Sequence, residues 1–94
     1  MNRSLAAGLL ALGLAASSAA FAGEKTITLA VKNMYCSACP MIVQSSLKAV
    51  PGVERVVVSQ ANKTAVVTFD DSKTAVPALV AATTNAGYPS APRG

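Results

Sequence analysis

Between Gly23 and Lys32, "GEKTITLAVK", apolar and polar residues alternate. Ile27, Leu29 and Val31 fall on one side, and Thr26, Thr28 and Lys32 on the other. A period of two predicts a half-buried strand. Residues 33–37 have no period and predict a loop. From there the spacing changes: Ile42, Val43, Leu47 and Val50, with Cys39 and Ser46 between them, recur at helical intervals over about Ala38 to Ala49. Ser37 is the expected N-cap of this helix. Pro40 suits its first turn, where a missing N–H is harmless, and Pro51-Gly52 stops it.

Val53 to Gln60, "VERVVVSQ", and Thr64 to Phe69, "TAVVTF", are rich in β-branched residues and joined by Ala61-Asn62-Lys63. They predict a hairpin, with Asn62 expected at the positive φ of the link. Residues 70–73 form a turn. Thr74 is placed to cap a second helix, with Pro77 in its first turn and Val76, Leu79, Val80, Thr83 and Ala86 as its inward stripe, ending at Gly87. The tail "YPSAPRG" leaves room for one short edge strand, interrupted by Pro89 and Pro92. The order strand, helix, strand, strand, helix, short strand predicts an α+β sandwich. Its arrangement is the βαββαβ, ferredoxin-like one, with two helices on one face of an antiparallel sheet.

Residues 1–22, "MNRSLAAGLLALGLAASSAAFA", have a different pattern: an early charge at Arg3, an apolar run from Leu5 to about Ala16, and a small-residue ending at Ala20-Phe21-Ala22. This is the form of a cleavable export signal. A membrane-spanning helix needs about 20 consecutive apolar residues, and the run is shorter and dissolves into Ser17 and Ser18. The expected organisation is therefore a signal peptide at 1–22 and one domain at 23–94. The exported form would work in the periplasm without stable membrane insertion.

Removing that segment takes away much of the 52% hydrophobic content and leaves a domain near the lower size limit for a self-supporting core. The formal charge of the full chain is +4, but the basic residues are scattered singly. No basic cluster is interleaved with aromatics, so nucleic acid is not an expected partner.

The chemistry is concentrated in Asn33 to Pro40, "NMYCSACP". Cys36 and Cys39 are the only cysteines, and the chain has no histidine. In the predicted layout Cys36 lies in a loop and Cys39 in the first turn of a helix, where free N–H groups and the helix dipole favour the thiolate. Two soft sulfur ligands select soft ions over calcium or magnesium. Structural zinc wants four ligands, so it would require a dimer. Hg(II) and Cu(I) are content with two opposed sulfurs, and two-coordination leaves the ion open to an incoming third thiol.

Two other readings compete. A structural disulfide suits export, but closing so short a loop contributes only about 2 kcal/mol; a disulfide can still form as a resting or inactive state, and the sequence leaves the resting redox state of Cys36 and Cys39 open. A thiol–disulfide oxidoreductase also opens a helix with C-x-x-C. Against it stand the short chain, Ser37-Ala38 between the cysteines and the absence of tryptophan. No catalytic residue is assigned.

Met34-Tyr35-Cys36-Ser37-Ala38-Cys39 resembles the M-x-C-x-x-C motif of heavy-metal-associated domains, and the resemblance extends over nearly all of Thr26 to Ser90. Within that family, Pro40 after the motif, "AVVTFDD" from Ala65 to Asp71 and "AGYPS" from Ala86 to Ser90 are similar to the exported mercury-binding members of bacterial mercury-resistance systems. The resemblance implies a monomeric, non-enzymatic carrier that binds Hg(II) between Cys36 and Cys39. It also implies a partner, the inner-membrane mercuric transport protein, whose cysteines receive the ion. Exported Cu(I) carriage is the alternative, because the same sulfur pair suits either ion.

The family motif commonly has Gly and Thr flanking the methionine, where this chain has Asn33 and Tyr35. Asn is the commonest substitute for Gly at positive φ, so the loop keeps its shape. Tyr35 is open to two readings, shielding a sulfur or lying on the surface. Met34, one step past an alternating strand, is expected in the core beneath the loop rather than as a thioether ligand. Met41 is expected to be partly exposed. Ser37 and Tyr88 complete the expected surroundings of the sulfurs, Tyr88 on the "AGYPS" resemblance, with an ordinary packing role as the competing reading.

Overall fold

The computed structural model describes residues 23–93; the export signal expected at 1–22 lies outside the described residues. The elements follow in the order β1 (Glu24–Val31), α1 (Cys39–Lys48), β2 (Val53–Ser59), β3 (Thr64–Asp70), α2 (Val76–Asn85) and β4 (Ser90–Pro92). The sheet order is β2-β3-β1-β4 and each neighbouring pair is antiparallel. This is the expected ferredoxin-like sandwich.

Alternation along the strands carries the core. Leu29, Val31, Val56, Ala65, Val67 and Phe69 are buried on one face of the sheet, and register brings Ile27 and Val56 to opposite sides of Val67. Cys39, Val43 and Leu47 of α1, four residues apart, and Leu79 of α2 close that face. Ile42, expected in the inward stripe, is 42% exposed, because the four-residue ladder from Cys39 turns it outward. Ala86 is likewise exposed; it is the C-cap of α2 rather than part of its buried face. Thr83 is fully buried, and its hydroxyl is satisfied by the Val80 carbonyl at 3.2 Å and the Ser90 hydroxyl at 2.7 Å.

Neither predicted hydroxyl cap forms. The N-caps are Ala38 and Ala75, one residue after Ser37 and Thr74, without side-chain hydrogen bonds. A capping hydroxyl accepts from the second or third helical N–H. Here the second positions are Pro40 and Pro77, which have none. The third N–H groups, of Met41 and Ala78, already bond the carbonyls of Ala38 and Ala75.

The β2–β3 link differs in the same local way. Lys63, not Asn62, takes the positive φ, at 56°. Lys63 N–H closes a turn onto the Gln60 carbonyl, and Asn62 N–H bonds Ser59 Oγ. The left-handed position thus falls on the residue after the turn's central pair, as in three-residue hairpin loops. At the other end of the sheet Asp70 accepts both the N–H and the O–H of Ser72, which holds its carboxyl below the ordinary range. Strand β4 is three residues long, pairs with Leu29–Val31 and forms one edge.

Candidate metal centre

The loop between β1 and α1 rises at the end of the sheet where β1 finishes and the β2–β3 hairpin turns. Asn33 stands at φ 72°, the left-handed conformation expected of it, and its side-chain amide donates to the Gly87 carbonyl at 3.2 Å. This hydrogen bond ties the loop to the corner after α2. Met34 is 2% exposed and belongs to the core; it anchors the loop from below. Tyr35 is turned out to solvent at 79% exposure, and Lys63 Nζ sits 5.5 Å from its ring centroid. The surface reading of Tyr35 is therefore the one observed.

Cys36 is exposed, whereas Cys39, the first residue of α1, is 4% exposed. The two are joined as a disulfide with a Cα–Cα distance of 5.2 Å. Tyr88 O–H donates to Cys39 Sγ at 3.1 Å, and Cys36 N–H approaches the same sulfur at 3.3 Å. The "AGYPS" tyrosine therefore reaches the site from the α2–β4 corner. Ser37 is exposed on the turn between the cysteines. Met41, at 70% exposure, lies on the outer face of α1.

Among the described residues, no cluster of three or more His, Cys, Asp or Glu side chains is present. The donor set is two sulfurs, one facing solvent and one backed by a phenol and a helix N-terminus. Such a set fits a soft ion of low coordination number and falls short of a closed four-ligand zinc site.

Sequence reasoning missed Gln60. Its side-chain amide donates to the carbonyls of Met34 at 3.2 Å and Cys36 at 2.8 Å. These bonds span 26 and 24 residues, so no local pattern announces them.

Tyr88→Phe tests what the phenol contributes. The ring stays, and a hydrogen bond of ordinary net worth is lost, so the unfolding free energy of the oxidised protein should fall by about 1 kcal/mol. Urea denaturation followed by far-UV circular dichroism reads this. A midpoint equal to wild type would mean that the contact carries no net energy.

The motif and the fold together define a class. The heavy-metal-associated domain model matches residues 28–89, and the chain belongs to that family. It is 50% identical over 82 residues, 87% of this chain and 90% of the relative, to the mercuric transport protein periplasmic component of Shewanella putrefaciens. Among solved structures it is similar to the crystal structure of oxidized MerP from Ralstonia metallidurans CH34. That match has 48% identity and a TM-score of 0.74, and covers 76% of this chain and 99% of that one. The mercury-bound form of MerP, the periplasmic protein of the bacterial mercury detoxification system, matches with the same identity and coverage and a TM-score of 0.67. A copper binding domain from a P-type ATPase has a TM-score of 0.72 at 26% identity, covering 73% of this chain and 93% of that one.

Proposed function

We propose that this chain is an exported mercuric ion carrier. In this reading residues 1–22 direct export to the periplasm, and the domain at 23–94 works there as a monomer. The observation that carries the reading is the asymmetric sulfur pair, Cys36 open to solvent and Cys39 sunk at the start of α1, in a chain half identical to mercuric transport components. A dithiol reductant opens the disulfide with two electrons and two protons. Hg(II) then displaces one proton from each thiol and is held between the two sulfurs.

Handover follows from low coordination. A thiolate of the inner-membrane mercuric transport protein adds to the ion, Cys36 leaves and takes a proton, and a second partner thiolate releases Cys39. Cys36 is the first to receive and the first to let go, because an approaching group reaches it without disturbing the core. The chain performs no turnover of its own in this reading. An insulin-reduction assay at wild-type concentration should show no rate above background.

Cu(I) is the second reading, supported by the likeness to the copper binding domain. The identities, 48–50% to the mercuric proteins against 26–35% to copper-binding ones, favour mercury. The test is competition of reduced protein for Hg(II) and for Cu(I) against a monothiol, glutathione, followed by mixing with a peptide bearing a vicinal cysteine pair. One Hg(II) per chain, held against millimolar glutathione and passed to the peptide within seconds, is expected. Retention of Cu(I) but not Hg(II) under the same competition would overturn the mercuric reading.

A further inference from the structure

The Gln60 amide bridges the two carbonyls that flank Tyr35, those of Met34 and Cys36. The bridge comes from the end of the β2–β3 hairpin, outside the loop it holds. Asn33 ties the same loop to Gly87 on the opposite side. Between these two straps lies the segment that carries Cys36, the exposed partner of the pair. Cys39 is already fixed, as the first residue of a helix whose side chain is buried. Whatever limits the wandering of Cys36 therefore limits the distance between the two sulfurs.

We propose that Gln60 is a positioning residue that sets the effective concentration of the Cys36 sulfur at the Cys39 sulfur. Two reactions depend on that quantity. Closing the disulfide requires one thiolate to meet the other cysteine within the same chain. Holding an ion between both sulfurs requires the second bond to form within the same chain once the first exists. In each case the strap acts by sparing the loop's ordering entropy, which must otherwise be spent when the ring closes. Both hydrogen bonds of the Gln60 amide end on backbone carbonyls and not on a sulfur, so its influence runs through the backbone of residues 34–36. The two bonds accept at carbonyls, which a leucine side chain of similar size cannot serve and a glutamate carboxylate would repel.

The redox step is balanced with glutathione as the named reactant. Two glutathione molecules become one glutathione disulfide, and the Cys36–Cys39 disulfide takes up the two electrons and two protons to become two thiols. Its equilibrium constant measures the effective concentration with no metal present. The metal arm of the inference rests on the carrier reading above, and the glutathione arm does not.

The experiment compares wild type with Gln60→Leu and Gln60→Glu in glutathione buffers, with the oxidised fraction counted by thiol alkylation and mass spectrometry. Losing one or two hydrogen bonds of ordinary net strength should lower the preference for the disulfide by about three- to tenfold in Gln60→Leu. Gln60→Glu should lower it at least as far. Hg(II) affinity in competition with glutathione should fall by a similar factor. A parallel urea titration reports folding. A residue that merely supports the fold would lower the urea midpoint and leave the glutathione equilibrium where it was.

An equilibrium constant within twofold of wild type in both variants, with both folded, overturns the proposal. A shifted glutathione equilibrium in a protein that holds no Hg(II) would leave the positioning role standing and remove the carrier reading. Should Gln60→Glu fail to fold, Gln60→Leu alone decides.

Discussion

Replacing either Cys36 or Cys39 by serine should lower Hg(II) affinity by at least about a thousandfold, within the range expected when two tethered contacts are reduced to one. The argument is that of a chelate. The first metal–sulfur bond confines the ion within a few ångströms of the second sulfur, because the Cα atoms of the two cysteines lie 5.2 Å apart. The second bond therefore forms against a high local concentration. A serine hydroxyl is a hard, protonated oxygen and does not replace a thiolate on a soft ion. The single mutants are not equivalent beyond this shared loss. Cys36 alone, in Cys39→Ser, remains an exposed thiol that reacts with alkylating reagents and binds one Hg(II) as a simple monothiol does. Cys39 is 4% exposed in the disulfide form, with Tyr88 against its sulfur, and alone in Cys36→Ser it should react with iodoacetamide more slowly than its counterpart. Competition titration against glutathione measures the affinities, and mass spectrometry the alkylation rates. Wild-type affinity in either mutant would remove the two-sulfur site, and equal alkylation rates would remove the entry order assigned to Cys36.

What the sequence made legible is the part governed by short-range periodicity. Strand β1 shows in the alternation of Ile27, Leu29 and Val31, and α1 in the recurrence of Ile42, Val43, Leu47 and Val50 with Cys39 between; burial follows the first pattern at Leu29 and Val31 and the second at Cys39, Val43 and Leu47, while Ile42 faces out. The cysteine pair was legible because its chemistry needs no fold to be recognised. Local rules fell short where two of them competed. Ser37 and Thr74 have the right chemistry to cap, but Pro40 and Pro77 remove a donor and the backbone takes the other. Asn62 has the higher preference for positive φ, yet the turn geometry assigns that position to Lys63. What the sequence concealed is non-local. The Gln60 strap crosses more than twenty residues, and a glutamine at a strand end carries no mark of it. Tyr88 lay within reach only through a family resemblance, since its path to Cys39 Sγ spans 49 residues.

Phe69→Ala should bring the domain to the edge of unfolding while leaving the sulfur chemistry largely in place. Phe69 heads the set of largest fully buried side chains, at 2% exposure, and is held in β3 opposite Lys25 and Val53. Truncating a buried phenylalanine costs about 3–5 kcal/mol, through lost transfer energy and the cavity left behind. A domain of this size has about 4–10 kcal/mol in total, at roughly 0.05–0.15 kcal/mol per residue. The expected result in urea is a midpoint reduced by about half or more, or a chain already partly unfolded in buffer. The site responds differently because of where it sits. Phe69 pairs near the start of β1, whereas Cys36 follows the end of that strand. The two sulfurs are also only three residues apart in sequence, so an unfolded chain can still bring them together around one ion. Hg(II) binding should therefore persist in Phe69→Ala, weakened chiefly by loss of the loop's order, and added Hg(II) should restore little stability because the ion binds the unfolded chain as well. Urea titrations with and without one equivalent of Hg(II) test both halves. A large upward shift of the midpoint on adding Hg(II) would show that tight binding belongs to the folded domain alone, and that the two-sulfur motif needs the whole scaffold to act.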